Sequence, residues 1–339
     1  MAAPVPPGPP RGPPRGPRGT ELFGEVYRTL VANPLTFAGA VLVALMTGVA
    51  IVVVALPAVG SLFHLSLTVV PYGPNTPSTT TLAGPSPQHL LGTDELGRDV
   101  FSRVLVALPL DLGVSTFIIA AAVLIGGALG LYSGFWDDLG RMGHALSVVI
   151  LRVTDVFLAF PTLVLALALA ALLGRNLTAT TIALVVTWWP YYVRLVRGEV
   201  LSIKHQGYIS AARALGVTNA RIVSRHVLRN LIEPIIVYMT LDIGTVIVTF
   251  STIAYVGIAL PVDSPEWGSM ISYYQVFLPN YLWLVLGPGL AIFVSVLALS
   301  LLGDGLREVL DPRSRRAFAR VTRTTTAVSS VTPDAPGEA

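Results

Sequence analysis

Apolar and polar residues alternate along this chain in long blocks. Six mostly apolar stretches fall at roughly Leu35–Pro57, Asp111–Gly134, Ala145–Leu173, Thr178–Val196, Leu231–Leu260 and Tyr281–Leu302. A helix needs about 20 mostly apolar residues to cross a bilayer. The pattern therefore predicts an all-α polytopic membrane protein with six transmembrane helices. The third stretch carries Arg152 and Asp155, and the fourth carries the run Trp188, Trp189, Pro190, Tyr191 and Tyr192.

Composition agrees with the pattern. Only 12% of the 339 residues are charged and 53% are hydrophobic, with a mean hydropathy of +0.71. A soluble domain carries about 25% charged residues, so this chain has too little polar surface to cover a globule in water. The net charge of +3 does not mark a nucleic-acid partner, because the basic residues fall in clusters separated by apolar runs. Arg11, Arg15, Arg18 and Arg28 precede the first stretch, and Arg141 lies between the second and third. Arg194, Arg197, Lys204, Arg213, Arg221, Arg225 and Arg229 lie between the fourth and fifth, and Arg307, Arg313, Arg315, Arg316, Arg320 and Arg323 end the chain. With an even number of spans these all share one side, the cytoplasm, leaving Arg98, Arg103 and Arg175 opposite. Both termini are then cytoplasmic.

The organisation expected is a disordered basic tail over 1–32 leading into an N-terminal helix, a first span over 33–57, and an outer loop with an interfacial helix over 58–110. A five-helix core over 111–304 follows, containing the cytoplasmic loop 197–230, and a cytoplasmic tail covers 305–339. The first twenty residues show no apolar signal-peptide region. With no cysteine, disulfides, thiolate zinc sites and cysteine nucleophiles are excluded. The scattered histidines form no metal set.

The cytoplasmic loop holds the clearest motif. In YISAARALGVTNARIVSRHVL, Ile209, Ala212 and Leu215 recur at helical spacing and predict one inward face. Gly216 sits where a helix C-cap requires positive φ, and Thr218 is a candidate N-cap for a second helix. There Ile222, Val223, His226 and Val227 form the inward stripe. The small residues Ser210, Ala211 and Ala212 let a partner approach closely. This stretch resembles the "EAA" loop of ABC importer permeases, the coupling helix that docks on the ATPase. Ala211, Ala212, Ala214, Leu215 and Gly216 match the motif. Ser210 stands where an acidic residue is usual, and Arg229 where a proline is usual.

Further segments resemble the C-type subunit of the dipeptide/oligopeptide/nickel branch. They are ANPLTFAG, PYGPN, LGTDELGRDVFSR, LRVTDVFLAFP, DSPEWGSMI and LLGDGLREVLDPR, spread over roughly Asn33 to Arg313. The resemblance implies the type I importer permease (MetI-like) fold in a bacterial or archaeal cell membrane. It implies an ATPase-coupling set of Ser210, Ala211, Ala212, Arg213, Ala214, Leu215, Gly216 and Thr218. It also implies a homologous B-type permease partner, two ATPase chains carrying ATP and Mg, and an extracellular substrate-binding protein. The chain itself has no P-loop, since its one lysine, Lys204, follows Ile203 rather than glycine. It is expected to be a transport subunit and not an enzyme.

Other polar residues leave alternatives open. Asp94, Glu95, Arg98 and Asp99 pair along an outer helix that is either a docking platform or a solvated interfacial helix. Arg152 and Asp155, one turn apart, form a structural ion pair or meet substrate. Asp242, with Thr245, lines the translocation path and meets a substrate amine, or pairs with a neighbouring helix. Trp188 belongs to an interfacial belt or to a constriction of that path. The cargo is a peptide, or alternatively an oligosaccharide or nickel. An ion-coupled secondary transporter using Asp155 or Asp242 is the rival class.

Overall fold

A computed structural model describes residues 33–62, 68–261 and 263–310. The tails expected over 1–32 and beyond residue 310 lie outside the described residues. Those described are almost entirely helical. They form α1 (Pro34–Leu62), α2 (Val100–Phe135), α3 (Arg141–Leu158), α4 (Thr162–Leu173), α5 (Leu177–Lys204) and α6 (Gly207–Ala214). A single turn α7 (Asn219–Ile222) leads through a π-helical turn, Val223–Val227, into α8 (Leu228–Tyr255). The short α9 (Trp267–Tyr274) and the long α10 (Leu282–Leu310) complete the fold.

Among the described residues, four helical runs are long and apolar enough to cross a membrane alone: Pro34–Val59, Val100–Phe135, Asn219–Tyr255 and Leu282–Glu308. The bent pair α3 and α4 makes a fifth. The expected six-span count is therefore not met on apolarity, and α5 is the reason. Its 28 residues are long enough, but Arg194, Arg197, Glu199 and Lys204 occupy its second half. A helix surrounded by protein has no need of a uniformly apolar surface, and α5 packs against α2, α4 and α8.

The expected third span is also not one helix. The chain turns by 91° between α3 and α4. Pro161 causes the break, because it lacks an amide hydrogen and disfavours helical geometry in the residue before it. The second span starts at Val100 instead of Asp111, with Asp99 as N-cap accepting a hydrogen bond from the Ser102 amide at 2.7 Å. The coupling loop is shorter than 197–230, since α5 runs to Lys204 and the helical run into α8 begins at Asn219.

The spine of the bundle is the α2–α5 pair. Gly126, Gly130 and Gly134 recur every fourth residue of α2 and all face α5. A methyl group added at Gly126 would lie 2.3 Å from the Trp189 carbonyl oxygen, and one at Gly130 2.7 Å from that of Val193. At Gly134 it would lie 2.8 Å from the Val200 Cβ. Only hydrogen fits at these points, so the two backbones approach as closely as helices can. Ile118, Ile119 and Ala122 of α2 continue the contact with Leu184, Trp188 and Tyr192 of α5 and Phe250 of α8.

Gly126→Ala should cost about 1–3 kcal/mol by overpacking and lower the thermal midpoint of the purified protein in detergent. Gly113→Ala on the same helix, where nothing lies within 4 Å of the new methyl, should leave the midpoint unchanged.

Candidate functional site

Three places gather polar side chains that could act: the hairpin around α6, a cavity beside the α3–α4 break, and the module formed by residues 68–99 together with α9.

In the hairpin, Gly216 has φ +76°, in the left-handed region. Its amide donates to the Arg213 carbonyl at 2.9 Å, and the Val217 amide donates to that of Ala212 at 3.1 Å. These two bonds form a Schellman cap, which closes α6 and turns the chain back. Thr218 occupies the N-cap position of α7, but its side chain makes no capping bond. Ile209, Ala212, Ile222, Val223 and Val227 bury themselves against Phe135, Val200 and Ile203 at the ends of α2 and α5. Ser210, Ala211, Arg213, Ala214 and Gly216 stay exposed. Leu215 was expected on the inward face and is instead 84% exposed. It lies beyond the last regular turn of α6, and Val217 closes the inner face in its place. The outer surface of the hairpin is thus a tip of small side chains with one large apolar residue.

The second place is a cavity of about 410 Å³ between α4, α5 and α8. Leu158, Thr162 and Leu163 from the break line it, with Thr187, Trp188 and Tyr191 of α5 and Asp242, Thr245 and Thr249 of α8. The structure therefore brings together Asp242, Thr245 and Trp188. The Tyr192 hydroxyl donates to Asp242 Oδ2 at 2.6 Å, which fixes the carboxylate and leaves its second oxygen available. The Thr187 and Thr249 hydroxyls donate to carbonyls of their own helices at 3.1 and 2.9 Å. They meet the cavity as acceptors. A larger groove of about 750 Å³ between α1 and α2 is lined by apolar residues apart from Thr47 and Thr116. Its chemistry suits a hydrocarbon chain or a helix, not a polar solute.

The pairing expected of Asp155 needs correction. Its carboxylate accepts from the Arg194 guanidinium of α5 at 2.6 Å, and Arg152 is not within ion-pair distance. An interhelical partner 39 residues away replaces the neighbour one turn along.

The outer charged motif also differs from expectation. Its residues pair, but on a tight turn and not on a helix. Gly97 has φ +73°, and an isolated bridge joins Thr93 to Asp99. Arg98 Nε donates to Asp94 Oδ2 at 2.7 Å, the Tyr274 hydroxyl donates to the same oxygen at 3.2 Å, and His89 Nδ1 lies 2.8 Å from Asp99 Oδ1. Asp94, Arg98 and Asp99 are buried, so they hold the module together and present no charged platform. Glu95 lies beside the Tyr273 hydroxyl. Arg103, which is also buried, donates to the Pro74 carbonyl at 2.9 Å, to Asn75 Oδ1 at 2.8 Å and to the Asp263 carbonyl.

Asp111 and Glu266 meet beneath this module within hydrogen-bonding reach of each other. Asp111 accepts from the Trp267 amide at 3.3 Å, and Glu266 caps α9 by accepting from the Gly268 and Ser269 amides at 2.8 and 2.7 Å. Burial pushes the Glu266 carboxyl above the usual carboxylate range. No residue spacing signals this pair, because its members stand 155 positions apart.

Residues 126–316 match the family described as "Binding-protein-dependent transport system inner membrane component". The dipeptide transport system permease protein DppC of Alkalihalophilus pseudofirmus is 36% identical over 291 residues, covering 86% of this chain and 90% of that protein. The probable D,D-dipeptide transport system permease protein DdpC of Escherichia coli K12 is 37% identical, over 70% and 77% of the two chains. The glutathione transport system permease protein GsiD of Escherichia coli O6:K15:H31 is 39% identical, over 68% and 74%. Among solved structures, a chain of the inward-facing MetNI methionine ABC transporter covers 59% of this chain and 93% of its own length, with a TM-score of 0.47 and 20% identity.

A group whose folded pKa is raised contributes stability at low pH and loses it as pH rises through that value. The melting midpoint should fall as pH rises above the ordinary carboxylate range on account of Glu266, and Glu266→Gln should flatten that dependence. Differential scanning fluorimetry across that range checks it.

Proposed function

Because this chain belongs to the family of binding-protein-dependent transport system inner membrane components, we propose that it forms half of the translocation pathway of an ATP-driven peptide importer. The observation that carries this reading is the capped hairpin, with its small exposed side chains and the protruding Leu215. Nothing on this chain binds ATP in the P-loop manner, so the energy is supplied by ATPase chains that seat on the hairpin. The hairpin is then cytoplasmic, as are both termini, and the module of residues 68–99 faces outward, where a substrate-binding protein delivers cargo. A homologous B-type permease supplies the other half of the pathway.

The relatives are named for dipeptide, D,D-dipeptide and glutathione transport, which supports a short peptide as cargo. The chemistry of the cavity fits that class. A peptide carries an α-ammonium group with three donors and backbone amides that also donate. The cavity offers the second oxygen of Asp242 and the hydroxyls of Thr187, Thr245 and Thr249 as acceptors, with Trp188 and Tyr191 as apolar and aromatic wall. A charge-assisted hydrogen bond to a carboxylate is roughly twice as strong as a neutral one. A single such contact orients the cargo without holding it too tightly to release.

Two experiments test this reading in the assembled transporter. Replacing Leu215 and Gly216 by glutamate and arginine should abolish co-purification of the ATPase, since a central apolar contact removed from an interface costs about 2 kcal/mol or more. Retention of the ATPase by that variant would exclude the hairpin as its dock. Asp242→Asn should lower dipeptide uptake by about tenfold while the ATPase remains bound. Unchanged uptake would remove Asp242 from the path.

A further inference from the structure

Lys204 is the last residue of α5 and lies just before the hairpin. Its side chain is 4% exposed, an unusual place for the most strongly hydrated of the cationic side chains. Its ammonium has three protons and three acceptors: the Phe135 carbonyl at 2.8 Å, the Gly134 carbonyl at 3.4 Å and the Asp138 carboxylate. Two of these are terminal carbonyls of α2, where the helix dipole places partial negative charge. The third belongs to the turn that joins α2 to α3. Lys204 lowers the pKa of that carboxyl by hydrogen-bonding to it, and Arg213 adds to the effect.

The Phe135 ring completes the arrangement. The Lys204 ammonium lies 5.6 Å from its centroid, and so does the guanidinium of Arg213. Arg213 belongs to the hairpin helix, so the end of α2 is gripped from α5 and from α6 together. Asp137 adds a tie to α3, with Arg197 at 3.4 Å and His144 at 3.0 Å. These outer pairs are partly exposed and contribute little by themselves. The buried lysine is different, because its loss would strand two α2 carbonyls and an empty space in the packed interior.

We infer that Lys204 is a positioning residue that locks the hairpin, the end of α2 and the start of α3 into one rigid body. A displacement applied at the hairpin is then delivered to the spanning helices instead of being absorbed in the loop. Through α3 it reaches the break at Pro161, and so the wall of the cavity. This inference rests on the reading of the hairpin as the ATPase dock.

The test uses the complete transporter in liposomes. Lys204→Met should raise the ATP hydrolysed per peptide imported by about fivefold or more, and Lys204→Arg should restore most of the coupling. A merely stabilising lysine would lower both activities in proportion and leave the ratio unchanged, which would overturn the proposal. The second readout is structural. The chain has no cysteine, so spin labels can be placed at Ser224→Cys and Leu139→Cys without removing native thiols. The distance between them should be narrow and the same with and without ATP, and broad in the Lys204→Met transporter. Lys204→Gln, which keeps a polar donor without the charge, replaces the Met variant if that one does not assemble, and its distribution should broaden as well. A narrow distribution in the Met and Gln variants sinks the lock. A wild-type complex whose ATPase is indifferent to the hairpin sinks the docking reading, and the distances judge the lock independently of it.

Discussion

Where Gly126, Gly130 and Gly134 of α2 meet α5, two carbonyl oxygens and the Val200 side chain of α5 occupy the space in which any larger side chain would put its first carbon. Dispersion contacts are individually weak, but they accumulate steeply when two backbones touch along several turns. This seam sets the relative height of the two helices. Because of that height, Lys204 at the end of α5 meets the last carbonyls of α2. Trp188 and Tyr192 consequently reach the shared core, and Tyr192 can hold Asp242 of α8 in place. The hairpin follows the end of α5, and the cavity lies against the middle of the same helix.

Polar groups are used differently in the three regions. In the outer module and under it, Asp94, Arg98, Asp99, Arg103, Asp111 and Glu266 are buried and hydrogen-bonded to other parts of the fold. Removing one partner there leaves another unsatisfied, so these residues fix shape. The cavity by contrast keeps Asp242 secured on one side only. The hairpin inverts the usual arrangement, since its charged and small residues surround an exposed leucine.

Much of this was legible in the sequence, and the failures have physical causes. Hydropathy found the long helices, because lipid demands a run of apolar residues wherever it touches one. At α5 it marked only Thr178–Val196, because the polar second half of that helix is shielded by neighbours. The glycine at 216 announced its turn, because only an achiral residue adopts that φ without strain. Leu215 was misplaced because helical periodicity was extended one residue past the end of the helix. The spacing of Asp94 and Arg98 fits both a helix and a tight turn, and Gly97 decided for the turn. Arg152 was the visible neighbour of Asp155, whereas Arg194 became its partner only once α3 was laid against α5. The glycine repeat in α2 is plain in the sequence, but its meaning depends on what lies opposite.

The break at Pro161 bears on the electrical tightness of the membrane. The first amides of α4 have no acceptor within their own helix, whereas at the end of α3 the Asp155 and Phe157 carbonyls accept from the Ala159 and Phe160 amides at 3.0 and 3.3 Å. Such groups bare in hydrocarbon would cost several kcal/mol each, so the opening of α4 belongs against protein or a polar cavity. Thr162, at the opening of α4, lines the same cavity as Asp242. A hydrated pocket inside a bilayer shortens the insulating path for protons and small ions.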